Sequence, residues 1–374
     1  MNWPSRAAVA ALIFLPMAVR ADPLLSFGPD VPLFLTATVS VRHDDNVLLS
    51  STNKVGDTIY LFAPGVDLHY SGSQASAGIT FSEQFSRYAK DRNLDDQLAN
   101  LATYIGYQGS ESSFGANASY QQTDQTTTSA TSLDQTVKQT MIAVGARAEV
   151  AITAKTRLGV TPSYNRVEFA QVGFTDSNIF TVPVDLYYGI TPKTDLSVGY
   201  AYTHTTTADG SGDSKGNFVN VGARGQFTEK LSGQVRVGVT ENKPKTGQSV
   251  SQLGVESTLS YAFSPKTTFS LYANNGFAPS ASGNQTEVFS TGLSGNFQFS
   301  QSWSASISGG TSATKYLIVP SRTDHFYDAS LSLSYIVTSY LNLSASYLYR
   351  KNVSTIDSVT FDDNLATLTA ACRF

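Results

Sequence analysis

A short turn signal recurs along this chain at nearly constant spacing, and each copy lies between two runs in which apolar and small polar residues alternate. The copies read Ser71-Gly-Ser-Gln74, Gly109-Ser-Glu-Ser112, Thr153-Ala-Lys-Thr156, Thr191-Pro-Lys-Thr194, Thr228-Glu-Lys-Leu231, Ser264-Pro-Lys-Thr267, Ser300-Gln-Ser-Trp303 and Thr338-Ser-Tyr-Leu341. Successive copies lie about 36 to 44 residues apart, the length of one hairpin plus one longer connection. Eight turns join sixteen strands, and one further strand at each end, near 33–42 and 359–374, raises the count to eighteen. Even numbers of alternating strands are characteristic of single-chain bacterial outer-membrane barrels. The spacing therefore predicts an all-β fold, a closed antiparallel transmembrane β-barrel of about 18 strands with short periplasmic turns.

With 374 residues, 41% hydrophobic and 14% charged, the composition alone would suit a soluble protein. The strands argue otherwise. Beyond the first residues no stretch approaches the ~20 apolar residues of a membrane-spanning helix. The aromatic residues are 21 Phe and 19 Tyr against 2 Trp, a choice that suits the interface girdles of a barrel. Ser, Thr, Gly and Asn crowd the strands where a soluble sandwich would pack Val, Ile and Leu. At the start, Arg6 precedes the apolar run from Ala7 to Ala18, and Val19-Arg20-Ala21 offers small residues at a cleavage site. The expected organisation is a signal peptide over 1–21, a periplasmic lead-in over 22–32 and the barrel over 33–374. The single cysteine, Cys372, has no partner for an internal disulfide.

Side chains alternate across a strand, so one parity should meet lipid and the other water. The seventeenth strand sets Leu341, Leu343, Ala345, Tyr347 and Tyr349 against Asn342, Ser344, Ser346 and Arg350. The eighth sets Phe180, Val182, Val184, Leu186, Tyr188 and Ile190 against Thr181, Asp185 and Tyr187. Charges provide the sharper test, because Lys or Arg facing lipid at the midplane costs about 2–4 kcal/mol. Arg147, Glu149, Asp185, Arg224, Arg236, Glu256, Asp328 and Arg350 all fall on the polar parity and are the expected pore-lining residues. With Arg42, Arg157 and Asp67 added, the lining carries a slight excess of arginine, which implies a weak preference for anions. Glu83 is the exception, sharing the apolar parity of Ile79 and Phe81; a place near the outer rim and a register-switching bulge both account for it.

The longer connections, near 43–56, 89–95, 123–136, 170–177, 205–216, 241–249, 278–286, 314–325 and 352–360, face outward from the cell. None has the length of a ~30-residue constriction loop, so a relatively open pore is expected. Catalysis is weakly signalled. Of His43, His69, His204 and His325, no pair has metal-ligand spacing, and neither a metal site nor a cofactor is expected. His43 beside Asp44 and Asp45, with His325 beside Asp324, is the one cluster that barrel closure could assemble into an outer-membrane hydrolase site. Tyr187 and Tyr272 on the inner parity could stack on sugars, with lumen packing as the plainer role. The net charge of −4 and the lack of a basic patch argue against a nucleic-acid partner.

The stretch Val41-Arg-His-Asp-Asp-Asn46, followed by Asp57, Pro64 and the strand pair through Tyr88, resembles the start of the type 2 family of β-barrel porins. The resemblance implies an outer-membrane pore for hydrophilic solutes, with exopolysaccharide export as one candidate role because some members are associated with it. An outer-membrane enzyme, or an adhesin or scaffold without an open pore, is the alternative. Asp45 and Asn46 read as caps of the first outer loop, since Asx side chains bond their own backbone at turns. The last strand ends Leu368-Thr-Ala-Ala-Cys-Arg-Phe374. Its terminal aromatic resembles the signal read by the barrel-assembly machinery, the expected partner besides outer-membrane lipids.

Overall fold

The computed structural model describes residues 23–28, 30–124, 136–317 and 321–374. The expected signal peptide lies outside these residues. Eighteen antiparallel strands close into a barrel, each paired with its sequence neighbour and the first (Pro32–Asp44) with the eighteenth (Phe361–Arg373). Closure is in register from Thr36↔Arg373 to Asp44↔Leu365. The seventh strand is split into Thr156–Val160 and Ser163–Phe169. Pro162 lies in the gap; having no N–H, it drops one ladder bond, but its carbonyl still accepts from Ala146 N at 2.9 Å and the register continues. A short strand, Leu25–Ser26, folds back onto the start of the first strand, so part of the lead-in is tied to the barrel.

The turn chemistry explains the repeated sequence signal. In six of the eight turns the first hydroxyl accepts from backbone N–H groups two or three residues on: Thr153, Thr191, Thr228, Ser264, Ser300 and Thr338. Thr228 Oγ1 lies 3.0 Å from Leu231 N and Ser300 Oγ 3.1 Å from Trp303 N. Such local bonds compete with continuing a strand and so reverse the chain. The turns at Ser71 and Gly109 close through the backbone instead, by Gly72 N to Ala75 O and Gly109 N to Ser112 O.

The two faces separate as alternation requires. Val219, Val221, Val239, Leu253 and Leu293 each expose more than half of their surface outward, as a wall bathed in lipid demands. Rings gather next to the turns at the periplasmic end. Trp303 and Tyr335 lie 4.6 Å apart by centroid, and Phe263, Phe269, Phe297 and Phe299 form a chain of contacts. Phe374 stacks on Tyr340 at 5.6 Å, and its backbone exchanges hydrogen bonds with Leu35. Register pairs Ser306 with Ser332 and Ser332 with Ser346 on the inner side, while Leu333 and Leu343 stand exposed on the outer. In a Cys372→Ala background, cysteine at Ser306 or Ser344 should react with a membrane-impermeant thiol reagent, and cysteine at Ile307, Leu333 or Leu343 should not. At Ser332, only 3% exposed, labelling should be slower. Equal labelling of both sets would overturn the register.

Candidate functional site

The inner wall of strands six to twelve carries a connected set of charges. Arg224 on the tenth strand (Ser214–Gln226) reaches past three strands to grip Glu149 on the sixth (Gln139–Ala151), with both contacts at 2.8 Å. Its Nε donates to Asp195 on the ninth strand at 3.0 Å, and Arg157 on the seventh donates to the same carboxylate at 2.7 Å. Its guanidinium carbon lies over the Tyr187 ring, 3.3 Å from the centroid. On the eleventh strand, Arg236 donates to Asp185 at 2.6 Å and to Glu256 at 3.2 Å, and the Tyr187 hydroxyl donates to Asp185 at 3.2 Å. Forked guanidinium–carboxylate contacts of this kind are the strong members of the hydrogen-bond family.

Inward glycines make the room. A Cβ added at Gly199 would sit 2.2 Å from Asp185 Oδ1, one at Gly159 2.9 Å from the Tyr187 ring, and one at Gly222 3.1 Å from Arg236 Cγ. Glycine therefore lets the charged side chains lie flat along the wall. Arg236 is only 7% exposed and Asp185 2%, so this side of the lumen is packed.

The opposite wall carries its charges in separate pairs. A register row runs Tyr272–Gly292–Gly310–Asp328–Arg350–Asp363 from the thirteenth strand to the eighteenth. The Tyr272 ring lies over Gly292, where a Cβ would approach it to 2.6 Å, and Asp328 lies over Gly310. Arg350 is paired with Asp363, its Nε 2.8 Å from Oδ2. Lower down, Arg373 pairs with Asp67 at 2.7 Å and lies over Phe34. Among the described residues Arg147 is exposed and Asp328 half-buried, and neither makes a salt bridge.

By strand register the eight residues expected to line the pore share the parity that carries the ion pairs. The structure brings Glu149, Asp185, Arg224, Arg236 and Glu256 into one network and places Asp328 and Arg350 opposite, with Arg147 apart. Sequence reasoning missed Asp195, Asp363 and Arg373. Asp195 shares the inner parity of Ser197 and Gly199 but flanks a turn, and Asp363 is the third residue of the last strand, close to a loop. Their carboxylates offset the arginine excess counted from sequence.

The outer mouth departs from the open pore expected. The first outer loop, 45–56, folds inward. Val47 packs on Ile59, Leu61 and Tyr88, and Leu49 on Phe326, Val359 and Phe361, all residues of the inner face or outer rim. Asn46, fully buried, acts as the hinge. Its Nδ2 donates to the carbonyls of Ser50 at 3.0 Å and Asp362 at 2.9 Å, and its Oδ1 accepts from Ser50 N at 2.9 Å. Burial pushes the Asp45 carboxyl up, but the Asn364 backbone and side-chain N–H groups outweigh it and hold the group below its ordinary value. Asp57 does the same service for the second loop, accepting from Lys90 N and Asp91 N at 3.1 Å each. Across the mouth, Thr175 N donates to Ala281 O at 2.8 Å and Gln285 donates to Gly212 O, so three further loops interlock.

The hydrolase cluster does not assemble. His43 and His325 project outward, whereas Asp44 and Asp324 are buried on the inner parity and the Asp45 carboxylate is taken up by Asn364, so no imidazole is paired with an acid of the cluster. Tyr187 is occupied by Arg224 and packs as part of the lumen wall. Register is continuous through Ser82 and Glu83, which removes the bulge reading. Glu83 instead lines a polar groove with Arg87, Asp95, Asp96 and Lys138 beside the second outer connection, at the rim.

Comparison with known proteins agrees with this architecture. Residues 33–374 match the family described as "Putative beta-barrel porin 2". The outer-membrane protein OccK2 (OpdF) of Pseudomonas aeruginosa superposes with a TM-score of 0.51 at 11% identity, over 94% of this chain and 100% of that one. The same values hold for OccK2 in complex with glucuronate. OpdK of Pseudomonas aeruginosa, solved with vanillate, gives a TM-score of 0.49 at 9% identity, over 91% of this chain and 99% of that one. No curated protein matches the chain. At these identities the solved structures establish the shared fold alone.

Proposed function

Because the chain belongs to the beta-barrel porin 2 family and forms a closed barrel of the bacterial outer membrane, we propose that it is a passive diffusion pore for small hydrophilic solutes, without catalysis of its own. The observation that carries this reading is the lumen lining, in which charged and small polar side chains of strands six to twelve join in one network instead of an apolar core. A barrel of eighteen strands is wider than side chains alone fill. Charged and polar side chains line both walls, which suits a hydrophilic solute.

Small solutes suit this lining better than an exopolysaccharide. A polymer in transit needs a continuous track, yet Tyr187 is held under Arg224 and the first outer loop occupies part of the mouth. Arg147, exposed on the inner face without a salt bridge among the described residues, is available to a small carboxylate. The assembly machinery remains the proposed reader of the final strand, whose terminal ring is displayed on the outer wall.

The purified barrel in a planar bilayer should give discrete, stable conductance steps. Liposomes containing it should swell in neutral monosaccharides, and more slowly in sugars of increasing size. Glucuronate against glucose at equal concentration probes the role of Arg147: Arg147→Gln should slow the acid and leave the neutral sugar unchanged. A silent bilayer together with unswollen liposomes would overturn the diffusion-pore reading and favour a scaffold.

A further inference from the structure

The seam where the first strand closes on the eighteenth brings three carboxylates together. Asp44 and Asp45 come from the end of the first strand and Asp363 from the eighteenth, and an oxygen of each lies within 4.8 Å of the others. Asp363 is wholly shielded from solvent. Its Oδ2 accepts from Arg350, but among the described residues its Oδ1 has no hydrogen-bond donor. An orphan oxygen on a buried carboxylate is costly, and two further carboxylates beside it raise that cost. Nearby cations do not fill the gap. Arg350 is spent on Oδ2, Lys54 turns to Asp362 at 2.6 Å, and Arg42 lines the cavity behind Asp44 together with Asp124.

We propose that Asp44, Asp45 and Asp363 bind a divalent cation, with Ca²⁺ preferred. Three carboxylates against one guanidinium leave two negative charges, which one such ion neutralises. Ca²⁺ takes 6–8 oxygen ligands at about 2.3–2.6 Å in flexible geometry, and carboxylates plus water meet that demand; Mg²⁺ requires a stricter octahedron. The orphan Oδ1 becomes a ligand atom. Asp44 Oδ1 already accepts from Asn46 N at 2.9 Å and Asp45 already accepts from Asn364 N at 2.8 Å, so both carboxylates are held in place before the ion arrives. The ion would tie the first strand to the last and fix the hinge of the first outer loop. None of this depends on the pore reading.

The test uses the purified, chelator-treated full-length barrel in detergent, titrated with CaCl₂ alone and followed by calorimetry and by the thermal unfolding midpoint. One saturable site is expected, with a dissociation constant on the order of 10⁻⁴–10⁻³ M, as in extracellular calcium modules. The midpoint should rise as the site fills. Asp45→Asn and Asp363→Asn should each weaken binding about tenfold or more, the loss expected when a charged ligand is removed from a three-carboxylate site. Asp357→Asn, an exposed change in the last outer loop that leaves all three ligands and the Lys54–Asp362 pair in place, should bind as the parent does. Asp45 is only partly buried, so Asp45→Asn should keep the heat-modifiable migration of a folded barrel even if Asp363→Asn does not. Lack of saturable binding by the parent, or a midpoint rise as large in both ligand variants, would overturn the proposal. A proton shared between Asp44 and Asp363 would give the first of these results.

Discussion

Arg224→Glu combined with Arg236→Glu should turn the pore distinctly cation-selective. Each exchange replaces +1 by −1 at a place already lined by carboxylates. Glutamate at 224 would face Glu149 and Asp195, and glutamate at 236 would face Asp185 and Glu256. In the parent these carboxylates are held in ion pairs with Arg224 and Arg236 and contribute little net field. In the variant they all point, uncompensated, into a narrow low-dielectric passage, where like charge focuses counter-ions by 10-fold or more. Under a salt gradient the reversal potential should move strongly toward the cation potential, and the shift should shrink at high salt as the screening length falls to ~3 Å at 1 M. Breaking buried pairs costs about 3–5 kcal/mol each when one partner is removed, so the double variant should also unfold at a lower temperature. Arg224→Lys with Arg236→Lys keeps the charge and loses the fork, and separates the two effects: stability should fall while selectivity stays near the parent's. A double glutamate variant whose reversal potential matches the parent's would show that ions pass elsewhere than along this wall.

How much of this was legible in the sequence follows from which interactions are local. The strand count and face assignment rest on a period of two and on turn hydroxyls that bond two or three residues away, and both are written in contiguous sequence. Parity placed Arg224 and Glu149 on the inner face, but parity fixes a face and not a partner, and their contact crosses three intervening strands. Asp195 was readable by the same rule and was hidden by its position beside a turn. Glu83 broke the parity pattern, and sequence alone left a rim position and a bulge equally open, because parity carries no depth along the strand; near the rim an outward carboxylate meets other polar groups. The three-carboxylate seam could not be read from spacing, since Asp44 and Asp363 meet only when the barrel closes.

The inward fold of the first outer loop was the least legible feature, because the hinge residue Asn46 bonds the carbonyl of Asp362, at the far end of the chain. That dependence makes it the most sensitive point of the mouth. Asn46→Ala removes two donated bonds and one accepted bond and leaves buried backbone groups unpaired, at about 1–3 kcal/mol for each group stranded. A loss of ~3 kcal/mol shifts the balance between seated and released loop by roughly a hundredfold. Val47 and Leu49 then leave their apolar partners, and the mouth widens. Bilayer conductance should rise, and liposomes should admit sugars that the parent excludes. Ser51→Ala, an exposed change in the same loop, should leave both unchanged. Leu49→Asp attacks the seated state from the other side, because a carboxylate cannot replace the contacts with Phe326, Val359 and Phe361 without being buried unpaired. It should reproduce the Asn46→Ala phenotype. If both variants fold and conduct as the parent does, the loop does not set the width of the passage, and the constriction lies instead at the Arg224 and Arg236 wall.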